Sequence, residues 1–228
     1  MDDIMPFSFK SAMPPVHPGE KHIACVILVD VSGSMTESMD ELHRGLAEFG
    51  AALKQDEQAS GCADVSVISF GNQVDTVIPF CPAAAYNPPK LQAGGMTCMN
   101  GAIIMGLNLI EERKKLYRAH GIPYYRPWLF LLTDGTPTDT ELESQAKQML
   151  QDHIHKKKVT FFPMGIGNAD TARLKTYAGD GSPILRASQD NFREAFVWLA
   201  ASVSQISNSF NATKVDLVAP PPMITIEI

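Results

Sequence analysis

Short, dense apolar runs alternate along the chain with longer stretches in which apolar residues return every third or fourth position. HIACVILVD (22–30) is apolar at nearly every position, which predicts a strand covered on both faces. After a polar turn, Met39, Leu42, Leu46, Phe49 and Leu53 recur at steps of three and four, predicting an amphipathic helix over 37–57. Ser34 or Thr36 stands where its N-cap is expected. ADVSVISFG (63–71) predicts a second strand, and QVDTVIPF (73–80), across Gly71-Asn72, its hairpin partner at a sheet edge. A loop with three prolines and two closing glycines fills 81–95. A helix over 99–118 follows, with Met99, Ile103, Leu107 and Ile110 on one side, and then a buried strand, WLFLLTD (128–134). The remainder predicts a helix over 140–155, a strand over 159–167, a short helix over 169–179 and a short strand, PILRA. A last helix over 190–207 carries the stripe Phe192, Phe196, Leu199, Val203 and Ile206.

Strands alternating with helices through short connections predict an α/β fold. The expected form is a Rossmann-like open, mostly parallel sheet with helices on both faces and one antiparallel edge strand. One domain is expected over 21–207. Residues 1–20 carry four prolines and little periodicity, so they predict an irregular arm. The tail, 208–228, holds two short β-like pieces around a triple proline and is expected to add an edge strand or to contact a partner.

Composition narrows the class. Of 228 residues, 45% are hydrophobic and 19% charged, a balance that supports a packed core. A net charge of −6 argues against a large nucleic-acid face, and Lys156, Lys157 and Lys158 are expected to be the solvated end of a helix. Cys25, Cys62, Cys81 and Cys98 show no paired metal-ligand spacing. Cys25 and Cys62 are expected to be buried thiols and Cys98 an ordinary loop residue. The opening MDDIMPFSFK lacks a basic n-region and an apolar h-region, so no secretory signal is expected. No run approaches the ~18 apolar residues of a membrane span, so the expected compartment is a reducing cytoplasm.

The candidate chemistry lies where strands end. In an open parallel sheet, ligands bind beyond the carboxyl ends of the strands, where strand order reverses. Asp30, Ser32 and Ser34 leave the first strand at alternate positions, Thr97 follows the glycine-closed loop LQAGGMT, and Asp134 ends LLTDG. Two carboxylates and three hydroxyls are all oxygen donors, which suits a hard divalent cation, Mg²⁺ before Ca²⁺. Two carboxylates balance the ion's charge, and an open position can accept an external acid. Each residue alone has a plainer role as a cap or a turn former.

These segments resemble the von Willebrand factor A domain family: DVSGSM at 30–35, GGMTCMNGAI at 94–103 and LLTDG at 131–135. The resemblance spans roughly 22–200 and implies that family's fold. It also implies a metal-ion-dependent adhesion site made by Asp30, Ser32, Ser34, Thr97 and Asp134. That site usually takes Mg²⁺ or Mn²⁺, with Ca²⁺ a further option, and a partner's Asp or Glu completes the coordination. Met96 stands between the glycine pair and Thr97, where the family's common form has Gly-Gly-Thr. The short loops most resemble small stand-alone bacterial cytoplasmic members, such as the tellurium-resistance-associated TerY group. That likeness implies a kinase or phosphatase partner encoded nearby and a role in stress response or defence. Gly71, Asn72, Tyr86, Met96 and Thr136 are expected to rim the partner contact.

Two other function classes compete. An Mg²⁺-dependent phosphoesterase-like hydrolase would resemble the haloacid-dehalogenase-like phosphatases, whose first strand ends in D-x-D; here that third position is Ser32. No P-loop, G-x-S-x-G elbow or dinucleotide fingerprint occurs. The six histidines, His17, His22, His43, His120, His153 and His155, form no H-E-x-x-H, and the last two are expected at the surface. A structural scaffold without metal is the other alternative. The expectation is a binding module and not an enzyme.

Overall fold

A computed structural model of the chain describes residues 13–17, 19–179, 183–209 and 218–227. Among these described residues, seven strands form one sheet: β1 (Ile23–Asp30), β2 (Ala63–Phe70), β3 (Val74–Pro82), β4 (Trp128–Thr133), β5 (Thr160–Ile166), β6 (Ile184–Ala187) and β7 (Thr225–Glu227). Their order is β3-β2-β1-β4-β5-β6-β7. β2, β1, β4, β5 and β6 run parallel. β3 and β7 pair antiparallel at the two ends. The sheet thus has two antiparallel edges where the hairpin alone predicted one, because the tail returns to pair with β6.

Among the described residues, six α-helices cover the faces: α1 (Met39–Gln55), α2 (Glu57–Cys62), α3 (Met99–Ala119), α4 (Glu143–His155), α5 (Thr171–Ala178) and α6 (Arg193–Ser207). The dense apolar runs follow from this layering. In β1, Ile23, Cys25, Ile27 and Val29 pack into the core under α1, α2 and α6, whereas Ala24, Val26 and Leu28 face α3, α4 and α5. β4 divides the same way, Trp128, Phe130 and Leu132 against Leu129 and Leu131. Gly106 lets α3 lie close, since a Cβ there would come within 2.9 Å of Leu129 and 3.1 Å of Leu28.

Several predicted boundaries move. The helix expected over 37–57 is a 3₁₀ turn (Gly33–Ser38), then α1, then the separate α2. Asp56 is extended between them and its carboxylate accepts from the Ala59 amide at 2.9 Å, capping α2. Neither Ser34 nor Thr36 caps α1; the Thr36 hydroxyl donates to the Gly33 carbonyl and Ser34 turns to Asp134. His153 is buried rather than superficial, with Nδ1 against the Met149 carbonyl and Nε2 3.2 Å from Glu111.

At the amino ends of the strands, Asp64 is wholly buried among polar partners. It lies 2.8 Å from Arg113 and 3.1 Å from His22, and accepts from the Tyr117 hydroxyl. Arg113 also donates to the Met13 carbonyl at 2.7 Å, and the Met13 amide donates to Phe80 of β3. That cluster ties the described end of the N-terminal arm to the sheet; the arm's residues 1–12 and 18 lie outside the described residues. Among the described residues, no helix is long and apolar enough to cross a membrane.

Candidate functional site

Strand order reverses between β1 and β4, since the chain leaves β1 toward β2 on one side and returns through α3 to β4 on the other. That point is where an open α/β sheet opens a crevice beyond its carboxyl ends. The register Val29↔Leu132 brings the next pair, Asp30 and Thr133, side by side, and the Thr133 hydroxyl donates to Asp30 Oδ2. Asp30 Oδ1 accepts from the Ser32 amide at 2.8 Å, so both carboxylate oxygens are oriented.

The DxSxS segment turns back over this pair. The Ser32 and Ser34 hydroxyls are 3.1 Å apart, and Ser34 donates to Asp134 Oδ1 at 2.7 Å. Thr97 is buried and reaches the same place: a Cβ on Gly135 would lie 3.4 Å from Thr97 Oγ1 and 3.7 Å from Asp30 Oδ2. Asp30, Ser32, Ser34, Thr97 and Asp134, drawn from three loops, therefore form one cluster. Asp30 and Ser32 are buried, Asp134 is half-buried and Ser34 is exposed, which leaves the cluster open on one side.

Electrostatics mark Asp30. Burial pushes its carboxyl up to about 6, with the Asp134 charge adding to the rise and the Thr133 and Ser32 hydrogen bonds opposing it. Among the described residues, no Lys or Arg side chain pairs with Asp30 or Asp134. Nor are three or more His, Cys, Asp or Glu side chains grouped to hold a metal. The cluster is of another composition, two carboxylates and three hydroxyls. As a donor set it fits a hard divalent ion: every donor is oxygen, and among the described residues no basic side chain neutralises the two carboxylates.

The loops around the cluster are joined by backbone bonds. Gly33 N–H donates to Gly95, Gly94 N–H to Val31, and Cys98 N–H to Gly71. Asn72 Oδ1 accepts from the Met96 amide at 2.9 Å. Gly95, at φ +79°, takes a left-handed turn in which a Cβ would fall inside the Asn72 amide. Of the expected rim, Asn72, Met96 and Thr136 are exposed, Met96 at 55%. Gly71 is buried and contributes its carbonyl. Tyr86 is a correction: at 0% exposure it lies in the core against Phe49 and Gly50, out of a partner's reach. Burial and the Asp139 and Glu141 charges raise the Cys98 thiol, which opposes thiolate chemistry there.

Two contributors escaped the sequence pattern. Thr133 looked like an ordinary strand residue, although its position just before Asp134 was a usable signal. Asp139 has no mark in the pattern that sets it apart, and its side chain makes no capping bond to the 3₁₀ turn (Thr140–Leu142) that follows it. Instead it accepts from the Asn100 and Gly101 amides at the start of α3.

The family model of the von Willebrand factor type A domain matches residues 25–199. A search of curated proteins finds no match. Among solved structures, the vWF domain of the type V pili tip protein Mfa5 from Porphyromonas gingivalis has a TM-score of 0.63 at 12% identity, over 86% of this chain and 99% of that one. The von Willebrand factor type A protein from Catenulispora acidiphila gives 0.59 at 19%, over 81% and 43%. Proximal thread matrix protein 1 from the mussel byssus, in a structure described as having a zinc-occupied MIDAS motif, gives 0.52 at 15%, over 81% and 48%. The chain spans less than half the length of the latter two, and at these identities the likeness is one of fold.

Proposed function

The chain belongs to the von Willebrand factor type A domain family, and from that premise we propose that it is a divalent-metal-dependent protein-binding module. In this proposal Asp30, Ser32, Ser34, Thr97 and Asp134 hold Mg²⁺, with Mn²⁺ or Ca²⁺ able to replace it. The Asp or Glu of a partner protein occupies the open position. The observation that carries it is the convergence of five oxygen donors at the strand-order reversal, where no Lys or Arg side chain among the described residues pairs with either carboxylate. The mussel byssus protein, with its zinc-occupied MIDAS motif, shows that a chain of this fold can load such a motif. Asn72, exposed Met96 and Thr136 rim the open side and offer the partner one apolar and two polar contacts.

The proposal extends to context. The chain acts in the cytoplasm with the small stand-alone bacterial members such as the TerY group, in tellurium resistance or a related stress or defence response. Its partner is a kinase or phosphatase encoded nearby. It binds rather than catalyses, because Ser32 stands where a phosphatase of similar layout places its general acid.

Calorimetric titration with Mg²⁺ or Mn²⁺ is the direct test. Saturable uptake by the wild type, lost in Asp30→Ala with the fold intact by circular dichroism, is expected. Absence of uptake leaves a structural scaffold. A pull-down of the neighbouring kinase or phosphatase should then depend on Mg²⁺ and fail in EDTA; binding that survives both EDTA and Asp30→Ala would refute the metal bridge. Metal-dependent turnover of phosphoesters, abolished by Asp30→Ala, would favour the hydrolase instead.

A further inference from the structure

We propose that Asp139 is a positioning residue for the metal site, holding the first turn of α3 and, through it, Thr97. The inference rests on the metal-binding proposal above. Thr97 lies two residues before α3, whose own N-cap residue, Cys98, makes no side-chain capping bond. A thiol is a weak acceptor and leaves the first helical amides unserved. Asp139, from the loop between β4 and α4, serves them instead.

The contacts are specific. Asp139 Oδ2 accepts from the Gly101 amide at 2.8 Å, and Oδ1 accepts from the Asn100 amide at 3.2 Å and from Asn100 Nδ2 at 3.1 Å. The Asp139 carbonyl accepts a further bond from Asn100 Nδ2 at 3.0 Å. Asp139 and Asn100 are both buried, and a carboxylate at this end complements the positive pole of the helix. Thr138 closes the other side: its hydroxyl accepts from the Thr97 amide at 3.0 Å, and its amide donates to the Thr97 carbonyl at 2.9 Å. Asn100 Oδ1 in turn accepts from the Tyr177 hydroxyl at 2.8 Å, tying the same turn to α5.

Asp134 and Asp139 share one loop, and Asp139 grips the helix that follows Thr97. The clamp therefore joins the loop bearing one candidate ligand to the loop bearing another, one turn behind the cluster. An ordinary cap would stabilise α3 alone. This one fixes the distance between Thr97 and Asp134, which a small ion with strict octahedral demands requires.

Amide hydrogen exchange and Mn²⁺ titration on Asp139→Ala test the assignment. The Thr97 and Cys98 amides donate to Thr138 and Gly71, not to Asp139. Their exchange is expected to quicken by about tenfold or more while the β1 amides hold, and Mn²⁺ affinity to fall by roughly 10–100-fold. In a Thr97→Ala background the same substitution should cost less than about twofold further, because the two residues act as one unit. Asp139→Asn is isosteric and keeps one acceptor; it should shift the same quantities in the same direction by a smaller factor, and it carries the test if Asp139→Ala does not fold. Faster exchange confined to Asn100 and Gly101, or equal Mn²⁺ losses in both backgrounds, would make Asp139 a local cap and overturn the inference. Wild-type protein that takes up no Mn²⁺ overturns the metal-binding proposal instead, and exchange at Thr97 and Cys98 then decides on Asp139 alone.

Discussion

Asp30 holds an awkward position: it is wholly buried, oriented by Ser32 and Thr133, and feels the charge of a second carboxylate, Asp134. Its carboxyl is raised from 3.8 to about 6, so between those values the metal-free folded chain keeps a proton that the unfolded chain has released. Stability supplied by that proton is fully present below about pH 4 and is lost as pH rises through about 6, to the extent of up to roughly 3 kcal/mol. Urea denaturation in EDTA at pH 5 and pH 7 should show this slope, and Asp30→Asn should flatten it. The polar strand end was legible as a group of oxygen donors because Asp30, Ser32 and Ser34 break an apolar run at alternate positions. Thr133 was not, because a threonine in a β-strand is unremarkable until its neighbour across the sheet is known. Met96 belongs to the same scale. Met96→Ala should change stability by no more than about 0.5 kcal/mol, as for other surface sites, while weakening partner capture in the pull-down.

Apolar stripes placed nearly every element. Met39, Leu42, Leu46, Phe49 and Leu53 are all buried on α1, as are Phe196, Leu199, Val203 and Ile206 on α6 and Phe192 just before it. The stripe could not show that α1 stops at Gln55 or that α2 starts afresh, since Asp56 caps through a local bond that periodicity does not register. Tyr86 was misplaced for a related reason. Set in a proline-rich loop it looked exposed, yet Gly50 of α1 leaves a gap that its ring fills, with a Cβ at Gly50 falling 2.3 Å from the ring. Gly50→Ala should therefore cost about 1–3 kcal/mol through overpacking, measured by chemical denaturation. Asp64 supports α3 and the N-terminal segment together. Asp64→Ala leaves Arg113 buried without its countercharge, and a loss of roughly 3–5 kcal/mol is expected in the same measurement.

For the molecule as a whole, a metal bound only by the folded state stabilises all of it. At a hundredfold excess over its dissociation constant, Mg²⁺ should add about 2.7 kcal/mol, equivalent to a rise of roughly 5–10 °C in Tm for a chain of this size. A thermal melt should show the rise in the wild type and none in Asp30→Ala. Sequence alone determined the α/β class, the strands buried on both faces and the oxygen-rich strand ends, because each is a repeat or a break within one local segment. Backbone geometry turns such a pattern directly into a face or an end. Tertiary structure decided which ends meet. Ser34 bonds Asp134 across 100 residues, Thr133 braces Asp30 through strand register, Asp139 caps a helix other than its own, and the tail closes a second antiparallel edge. Those pairings depend on strand order and on packing between distant segments, and no periodicity within a single segment encodes them.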